Sequence, residues 1–488
     1  MKVLFDNIEK ELKGYRFYIV LLFTIVYCLI SLVNHYNFRT YAFDLGIYNN
    51  SIYQYSHLYN NPHPYVYWHV TNFLGDHFAL YTMIFSPLAY LFGSYTLLYL
   101  QIAAIIFGGI GVYKIVKLKY PDTFLPEISL FHFYTFYGIY SALAYDYHDN
   151  VVASMFIPWF ILALLNNKIK KLIFYAVLIC IGKENMPLIL AFICIGLVFL
   201  TKVKRQKIIL LIISVCSLIY MYIIVSYVMP SFLVNSQKIG HLRYTILGKD
   251  GSEILHNLIY KSRYLITALF NNVDLDKTVN FIKEETYFCL FMAGGIGLLI
   301  RPEFLIMVVP ILVQKMYNDD FGKWGINSHY SIEFAPIIIL ALYFSFEKIS
   351  LKLKYGIAFL FAFLSFSTTF AKLSYRRSFW YSEENSNIFF EHHYYSRIDK
   401  MVFNEMCRAI PDDAKLSTAS MFAPHLSFRK EIYAFPDTKR ANYIFIAESN
   451  HDYPLKGDLL HQEILKYQNS KDWELVKQLG NMYLFKRK

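Results

Sequence analysis

The chain has 488 residues, of which 56% are hydrophobic and only 17% are charged. A soluble globular protein carries about 25% charged residues, so this composition excludes an ordinary soluble enzyme built from several domains. The formal net charge of +11 would indicate a nucleic-acid partner in a soluble protein. Here the basic residues lie in short clusters between apolar runs, as in cytoplasmic loops of membrane proteins, so no nucleic acid is expected.

The first apolar run, FYIVLLFTIVYCLISLV at 17–33, is long enough to cross a hydrocarbon core of ~30 Å. It lacks a small-residue cleavage site, so we expect an uncleaved first span. The stretch 35–95 follows and has Arg39 as its only Lys or Arg, which indicates an extracytoplasmic loop. Within it, FALYTMIFSPLAYLF (78–92) is short and contains Pro87, so we expect a helix lying in the outer interface.

Later apolar runs predict an α-helical polytopic membrane protein with about eleven transmembrane helices and a cytoplasmic N-terminus. A long outer loop is expected at 230–283. The basic clusters assigned to the cytoplasm are Lys114/Lys117/Lys119, Lys168/Lys170/Lys171, Lys202/Lys204/Arg205/Lys207 and Lys348/Lys352/Lys354. The predicted spans are 14–34, 96–117, 124–143, 150–166, 170–183, 187–201, 207–229, 284–300, 303–316, 331–347 and 354–372.

After residue 372 the chain becomes polar. Two helices are predicted, at 397–411 and 459–469, because apolar residues recur there at helical spacing. Four short strands are predicted at AKLSTAS, EIYAFP, NYIFIAE and NMYLFKRK. We therefore expect a transmembrane domain over 1–372 and a small extracytoplasmic α/β domain over 373–488.

Polar clusters concentrate at the predicted outer ends of the spans, which places the expected function at the outer face. Asp44 follows the first span. It suits either the N-cap of a short helix near LGIYNNSIYQY or a general base that takes a proton from a hydroxyl. Asp76 and His77 precede the interfacial helix. They suit capping, or contact with a divalent ion through Asp76 and with a phosphate through protonated His77.

The turn YDYHDN (145–150) contains Asp146, His148 and Asp149. Carboxylate oxygens and an imidazole suit Mg²⁺ or Mn²⁺; hydrogen bonding to phosphate or sugar and a plain solvated turn stay open. Lys183 and Glu184 end a short span, either as a mutual ion pair or with Lys183 on a lipid phosphate.

Arg243 lies in the long outer loop, as a phosphate ligand or a solvated side chain. In HYSIEF, His329 and Glu333 share one helical face beside Tyr330, and Glu333 lies at or below the interface. No phosphate-cradling Gly-rich loop and no GxSxG motif occur, so no nucleotide cofactor is expected. An enzyme of this kind would take an activated substrate from the bilayer.

The motifs FDLGIYNNSIYQ, GDHFALYTMIFSPLAYLFGSYTLLYLQ, YDYHDN, GKENMPL, SHYSIEFAP and APHLSFRKEIYAFP occur in this order along most of the chain. In this arrangement the chain resembles the GT-C superfamily of integral-membrane glycosyltransferases, and more narrowly a family of prokaryotic membrane proteins assigned to it. The resemblance implies a GT-C-like fold in the cytoplasmic (inner) membrane and a polyprenyl-phosphate-linked sugar donor. The acceptor, reached from the extracytoplasmic side, would be a glycan, a lipid or a protein.

The resemblance also implies roles for individual residues. Asp44 would be the general base, and the reaction would invert the anomeric centre. Asp146 and His148 would help to bind a metal or phosphate. The acidic pair found after the first span in several GT-C enzymes is a single acid here, followed by Leu45, which argues against a metal at Asp44. The cationic groups expected around the donor phosphate are His77, Lys183, Arg243 and His329.

Two other classes of membrane protein fit the same composition. A transporter or flippase of a lipid-linked or anionic substrate would also place charges in a cavity, although it usually shows paired repeats and broken midplane helices. A non-catalytic membrane subunit is the remaining alternative.

Overall fold

The structure is a computed structural model of a mostly helical chain. The predicted loops 35–95 and 230–283 and the predicted cytoplasmic N-terminus lie partly outside the described residues. The structure describes residues 14–60, 70–234, 243–273, 277–449, 454–455 and 457–488.

The described part of the first half is mainly α-helical. In chain order the helices are α1 (Tyr15–Tyr36), α2 (Ile47–Ser56), α3 (Tyr81–Ile84), α4 (Ala89–Phe92), α5 (Thr96–Lys119), α6 (Leu125–Tyr134), α7 (Tyr137–Leu143), α8 (Asp149–Ser154), α9 (Ile157–Leu165), α10 (Ile169–Cys180), α11 (Met186–Leu200) and α12 (Lys204–Ile223).

The second half contains the remaining helices and a sheet. The helices are α13 (Gly251–Tyr260), α14 (Ser262–Phe270), α15 (Ile282–Leu290), α16 (Ile296–Ile300), α17 (Pro302–Met316), α18 (Phe334–Phe344), α19 (Leu351–Ser374), α20 (Glu383–Ser386), α21 (Lys400–Cys407), α22 (Ala423–Leu426) and α23 (Asp458–Gln468). The strands are β1 (Leu416–Thr418), β2 (Ile432–Ala434), β3 (Tyr443–Ala447), β4 (Trp473–Leu479) and β5 (Met482–Arg487).

Four helical stretches among the described residues are long and apolar enough to cross a membrane. They are Tyr15–Tyr36, Ser86–Lys119, Lys204–Phe232 and Leu351–Ser374, and each of them overlaps a predicted span. Two shorter apolar stretches, Asp149–Leu165 and Met186–Leu200, lie at two further predicted spans. The membrane character and the helical class of the prediction are confirmed, while the number of eleven spans stays a prediction.

Several predicted spans are interrupted for reasons visible in the sequence. Pro158 stands in the first turn of α9, and it separates α9 from α8 within the predicted span 150–166, because proline has no N–H for a continuing helix. In the predicted span 284–300, Gly294 has φ +92° and breaks the helix between α15 and α16. A Cβ at Gly294 would lie 2.9 Å from Leu342, so both the backbone conformation and the packing there need glycine.

The predicted interfacial segment 78–92 is a series of short turns. Helices α3 and α4 are separated by a 3₁₀ turn, Ser86–Leu88, that contains Pro87. Gly93, with φ +53°, ends this series before α5 begins. Proline and a left-handed glycine thus prevent one continuous helix here.

The chain divides into two compact units. The first unit comprises Met1–Ile30, Leu100–Tyr227 and Ile239–Phe389, and the second comprises Ser31–Tyr99, Val228–Lys238 and Phe390–Lys488. This division follows packing, whereas the predicted domains 1–372 and 373–488 describe membrane and extracytoplasmic parts and stay a prediction. The segment after the first predicted span belongs to the same compact unit as the C-terminal α/β region.

The second unit contains a five-stranded sheet in the order β2-β1-β3-β5-β4. Strand β1 pairs in parallel with β2 and β3, and β5 pairs antiparallel with β3 and β4. The four predicted strands are confirmed as β1, β2, β3 and β5, and the predicted helices 397–411 and 459–469 appear as α21 and α23. The sequence prediction missed β4, whose exposed central residues hide the usual alternation of burial.

Side-chain amides join helix α2 to the C-terminal segment within the second unit. The Nδ2 group of Asn49 donates to the carbonyls of Ser94 and Pro424, both at 3.0 Å. The Nδ2 group of Asn50 donates to the carbonyls of Ser427 and Arg429, both at 3.0 Å, and Gln54 donates to Lys430 at 2.8 Å. The side-chain amides of IYNNSIYQ therefore satisfy backbone carbonyls of PHLSFRK, which explains the polar residues of the first motif.

Arg39 makes a second connection within this unit. Its guanidinium donates to the carbonyls of His392, His393 and Tyr395 at 2.6–2.7 Å, and the residue is only 8% exposed. Charge-assisted hydrogen bonds of this kind are stronger than neutral ones. Arg39 thus fixes the chain after α1 against residues 392–395.

Candidate functional site

A polar cavity of about 80 Å³ lies in the first unit. Since one water needs roughly 10–15 Å³ by this measure, the cavity has room for about five waters or one phosphate group. Three lysines and two glutamates line it: Lys183, Lys315, Lys323, Glu184 and Glu333. Charged side chains are costly to bury unless they are paired or face a polar space, so this convergence marks the cavity as a candidate binding site.

Lys183 and Glu184 lie in the short turn between α10 and α11. The turn is closed by a hydrogen bond from the Met186 N–H to the Lys183 carbonyl at 3.0 Å. Pro187 then stands in the first turn of α11. Lys183 is 7% exposed and Glu184 is 3% exposed, so neither is a solvated interfacial charge.

Lys315 lies in the last turn of helix α17 and lines the cavity. Its ammonium donates to the carbonyls of Lys323 and Gly325 at 2.7 and 2.6 Å. Lys323 in turn lies with its ammonium 5.5 Å from the ring centre of Tyr330. Burial lowers the pKa of Lys323 to about 8, and the nearby Asp320 carboxylate offsets part of this effect. The Lys323 side chain therefore titrates close to physiological pH.

Asn150 and Glu333 join two of the sequence motifs at this cavity. The Nδ2 group of Asn150, in α8, donates to Oε1 of Glu333 at 2.7 Å, just before α18. Asn150 is 2% exposed and Glu333 is 4% exposed. The motifs YDYHDN and HYSIEF thus meet in the fold although 183 residues separate the two partners.

The histidines of the same motifs stack on each other. The rings of His148 and His329 lie 3.6 Å apart with an interplanar angle of 22°. Gln101 of α5 holds the turn that carries His148, since it donates to the Asp146 carbonyl at 2.8 Å and accepts from the His148 N–H at 3.0 Å. The motifs YDYHDN and HYSIEF therefore meet through their histidines as well.

Local geometry shapes the turn YDYHDN. Asp146 has a left-handed φ of +57°, and the Tyr147 hydroxyl donates to Oδ1 of Asp149 at 2.9 Å. Within the described ranges, no cluster of three or more His, Cys, Asp or Glu side chains has the geometry to hold an ion. A Mg²⁺ or Mn²⁺ ion on Asp146 and His148 stays a prediction.

Several polar atoms of the cavity lining are buried and lack a protein partner. They are Oδ1 of Asn150, Oδ1 of Asn185 and Nε2 of Gln314. Asn185 and Gln314 are hydrogen-bonded to each other at 3.0 Å through their other polar atoms. Because buried polar groups are nearly always satisfied, these atoms offer one donor and two acceptors to a ligand or to water.

The long outer loop contributes Tyr244 to the cavity lining, whereas Arg243 was the predicted ligand from this loop. Tyr244 lines the cavity, and burial raises the pKa of its phenol, which stays protonated as a donor. Its neighbour Thr245 is held by Asp319, which accepts from the Thr245 N–H and hydroxyl at 2.9 Å. Arg243 is exposed and lies outside the cavity lining, so its role in binding a phosphate stays a prediction.

Asp44 lies in the second unit, within the π-helical turn Ala42–Gly46. The wide turn is closed by the Gly46 N–H donating to the Tyr41 carbonyl at 3.0 Å. Residue 46 occupies the N-cap position of α2, so the N-cap role considered for Asp44 is wrong. Single π-helical turns occur frequently at functional sites, and Asp44 is partly exposed there.

Asp76 and His77 also lie in the second unit, after the 3₁₀ turn Phe73–Gly75. Their side chains face each other, with Oδ2 of Asp76 at 3.8 Å from Nε2 of His77. Leu80 precedes helix α3 and no side chain caps it, so capping of that helix, one of the two roles considered for Asp76 and His77, is wrong.

The structure therefore gathers five of the predicted site residues in one cavity, with His148 stacked beside it. These five are Lys183, Glu184, His329, Tyr330 and Glu333. Sequence reasoning missed Lys315, Lys323, Asn150 and Gln314. A lysine at the end of an apolar helix was the available signal for Lys315, because ionisable residues at membrane depth are functional candidates.

The model of one protein family, described as "Predicted membrane protein (DUF2079)", matches residues 34–478. The chain belongs to this family. The DUF2079 match begins at the end of α1 and extends into the C-terminal sheet, so it includes Asp44 and all the residues of the polar cavity. The family's description confirms a membrane protein and names no reaction. A comparison with curated proteins found no match to this DUF2079 chain.

Proposed function

We propose that this protein is an integral-membrane glycosyltransferase that transfers a sugar from a polyprenyl-phosphate-linked donor to an acceptor at the extracytoplasmic face. The observation that supports the proposal is the polar cavity, whose lining includes Lys183 and Lys323; the third lysine, Lys315, donates to two backbone carbonyls. Lysine ammonium groups beside a polar cavity suit a phosphate, which lysine binds as a point charge. The resemblance to GT-C enzymes supports the same reaction class.

The size of the cavity limits which part of the donor it holds. About 80 Å³ suits the phosphate group and a few waters, and the sugar and isoprenoid chain would extend beyond it. Glu184, Glu333 and the free amide atoms of Asn150 and Asn185 suit the hydroxyl groups of a sugar next to the phosphate. The cavity would therefore recognise the junction between phosphate and sugar.

The reaction needs a base for the acceptor and stabilisation for the leaving group. Asp44 takes the proton of the acceptor hydroxyl, and the acceptor oxygen forms a new bond to the anomeric carbon. The bond from that carbon to the phosphate oxygen breaks with inversion, and the phosphate keeps the electron pair. Lysine ammonium groups stabilise the negative charge that grows on the phosphate.

The proposed membrane arrangement has eleven crossings, with the N-terminus in the cytoplasm and the C-terminal α/β region outside, in a prokaryotic inner membrane. The asymmetry of the basic clusters supports it. A reporter protein that becomes fluorescent only in the cytoplasm, fused after Lys488, should stay dark. A fluorescent fusion would contradict this topology.

The decisive experiment measures the release of polyprenyl phosphate from a labelled polyprenyl-phosphate sugar by the purified full-length chain. We expect Asp44→Asn to abolish release while the protein remains folded and inserted. The matched control is Asp472→Asn, an exposed carboxylate in the C-terminal region, which should retain full activity.

Full activity of Asp44→Asn would refute the role of Asp44 as the base. A transporter or flippase would move the labelled lipid across a vesicle membrane without cleaving it, so transport without release would refute the enzyme. Addition of a chelator, followed by Mg²⁺ or Mn²⁺, tests for a metal requirement.

A further inference from the structure

A second, larger cavity of about 550 Å³ lies in the first unit, where the ends of α5, α9 and α10 meet. None of its lining residues lines the polar cavity described above. Four lysines line it, two from the last turns of α5 and two from the start of α10: Lys114, Lys117, Lys168 and Lys171. Its lining includes Trp159 and Tyr175 but no acidic residue.

The floor of this basic cavity is fixed by Trp159. The indole stacks on Phe107 at 4.2 Å and 12°, and its Nε1 donates to the Phe107 carbonyl at 2.9 Å. A Cβ at Gly111 would lie 2.9 Å from Nε1, so glycine lets the indole pack closely on α5. The Lys114 ammonium lies 5.2 Å from the indole ring centre, within the range of a cation–π interaction. The cavity is therefore preorganised.

Local helix stability does not explain the two lysines from the start of α10. Lys168 is the N-cap residue of α10 and Lys171 lies in its first turn, which contains no acidic residue. Cations are unfavourable at a helix N-terminus, because the helix dipole leaves a positive partial charge there. Four ammonium groups around one cavity also repel one another. An anion in the cavity would relieve both effects.

The apolar surroundings favour a lipid over a soluble anion. Next to Lys171 on α10, Ile173, Phe174 and Val177 are 50–57% exposed, and Leu118 in the cavity lining is 49% exposed. An apolar surface beside a basic cavity with Trp and Tyr is the arrangement expected where a membrane protein meets headgroups and acyl chains.

We propose that the basic cavity binds the phosphate headgroup of an anionic membrane phospholipid, with the acyl chains lying along the exposed apolar side chains of α10. This site is independent of the proposed glycosyl transfer. It supplies a reason for the basic clusters at 114–119 and 168–171 beyond their effect on topology.

The test uses the full-length chain, delipidated in an uncharged detergent, and measures binding of phosphatidylglycerol and of phosphatidylcholine by native mass spectrometry. The double variant Lys168→Gln/Lys171→Gln should weaken phosphatidylglycerol binding about 30-fold, from the typical contribution of each lysine near an anionic lipid. Lys168→Arg/Lys171→Arg should restore binding, because arginine keeps the charge.

The matched control is Lys202→Gln/Lys204→Gln, which removes two exposed lysines outside the cavity and should change binding less than about twofold. An equal loss in both double variants would overturn the proposal in favour of general surface attraction. Equal binding of the two lipids would also overturn it. Displacement of phosphatidylglycerol by millimolar inorganic phosphate would indicate a soluble anion instead of a lipid.

Discussion

The two compact units use buried polar side chains in different ways. In the second unit, Arg39, Asn49 and Asn50 donate to backbone carbonyls and hold separate segments together. In the first unit, Lys183 and Glu333 converge with other charged residues on a cavity. A polar side chain that donates to a backbone carbonyl stabilises the fold. A polar side chain that lines a cavity, next to amide atoms without a protein partner, can bind a ligand.

This difference separates residues that look alike in the sequence. Arg39 and Lys183 are both cations close to the ends of apolar runs, and both are buried. Only their partners distinguish a structural role from a binding role. Variants of the two residues should therefore change different measured quantities.

Among the variants considered, the largest expected effect is the loss of folding stability in Arg39→Ala. Arg39→Ala removes the donor to the carbonyls of His392, His393 and Tyr395, which would be left without their charged partner. We expect a loss of about 3–5 kcal/mol in the free energy of unfolding, measured by thermal unfolding of the purified chain. Arg408→Ala, at an exposed arginine of the same unit, should stay within about 0.5 kcal/mol of wild type. A wild-type melting temperature for Arg39→Ala would show that the hydrogen bonds of Arg39 do not stabilise the second unit.

The next effect is on binding. Lys183→Gln should weaken the affinity for a short-chain polyprenyl monophosphate by about 10–100-fold, the value of one charged hydrogen bond. The variant removes one buried charge but also a positive charge that interacts with the buried Glu333 carboxylate, so we expect a smaller loss of stability than in Arg39→Ala. Isothermal titration measures the affinity, and Lys261→Gln, at an exposed lysine, is the control. Unchanged affinity together with lower stability would make Lys183 a structural residue like Arg39.

The smallest effect is a pH dependence. Burial lowers the pKa of Lys323 to about 8, so its charge is present at pH 7 and largely lost at pH 9. The phosphate is already fully ionised over this range, since its second pKa is about 6. We therefore expect the affinity for the same monophosphate to fall about tenfold between pH 7 and pH 9.

Lys323→Arg should weaken this pH dependence, because arginine stays protonated throughout the range. A wild-type affinity that is constant from pH 7 to pH 9 would exclude Lys323 from the binding of the anion.

Much of the local structure follows from the sequence alone. Apolar runs, together with prolines such as Pro158 and Pro187 in first helical turns, determine where the helices lie. The strands β1, β2, β3 and β5 follow from short apolar segments. The sequence did not predict strand β4, because its central residues are exposed. Gly480, with φ +56°, nevertheless marks the turn to β5.

The candidate site depended on tertiary packing. The sequence indicated Lys183 and Glu333 as unusual charges, because burial of an unpaired charge is costly whatever the fold. It did not indicate that Lys315, Lys323 and Asn150 join them, since Asn150 is 183 residues from Glu333 and the segment with Lys315 and Lys323 is far along the chain from Lys183. Hydropathy and turn preferences act between near neighbours, whereas a cavity is formed by contacts that exist only after the helices pack. The sequence by itself therefore determined the helices and which polar residues were unusual, and the tertiary structure alone decided which of them became partners.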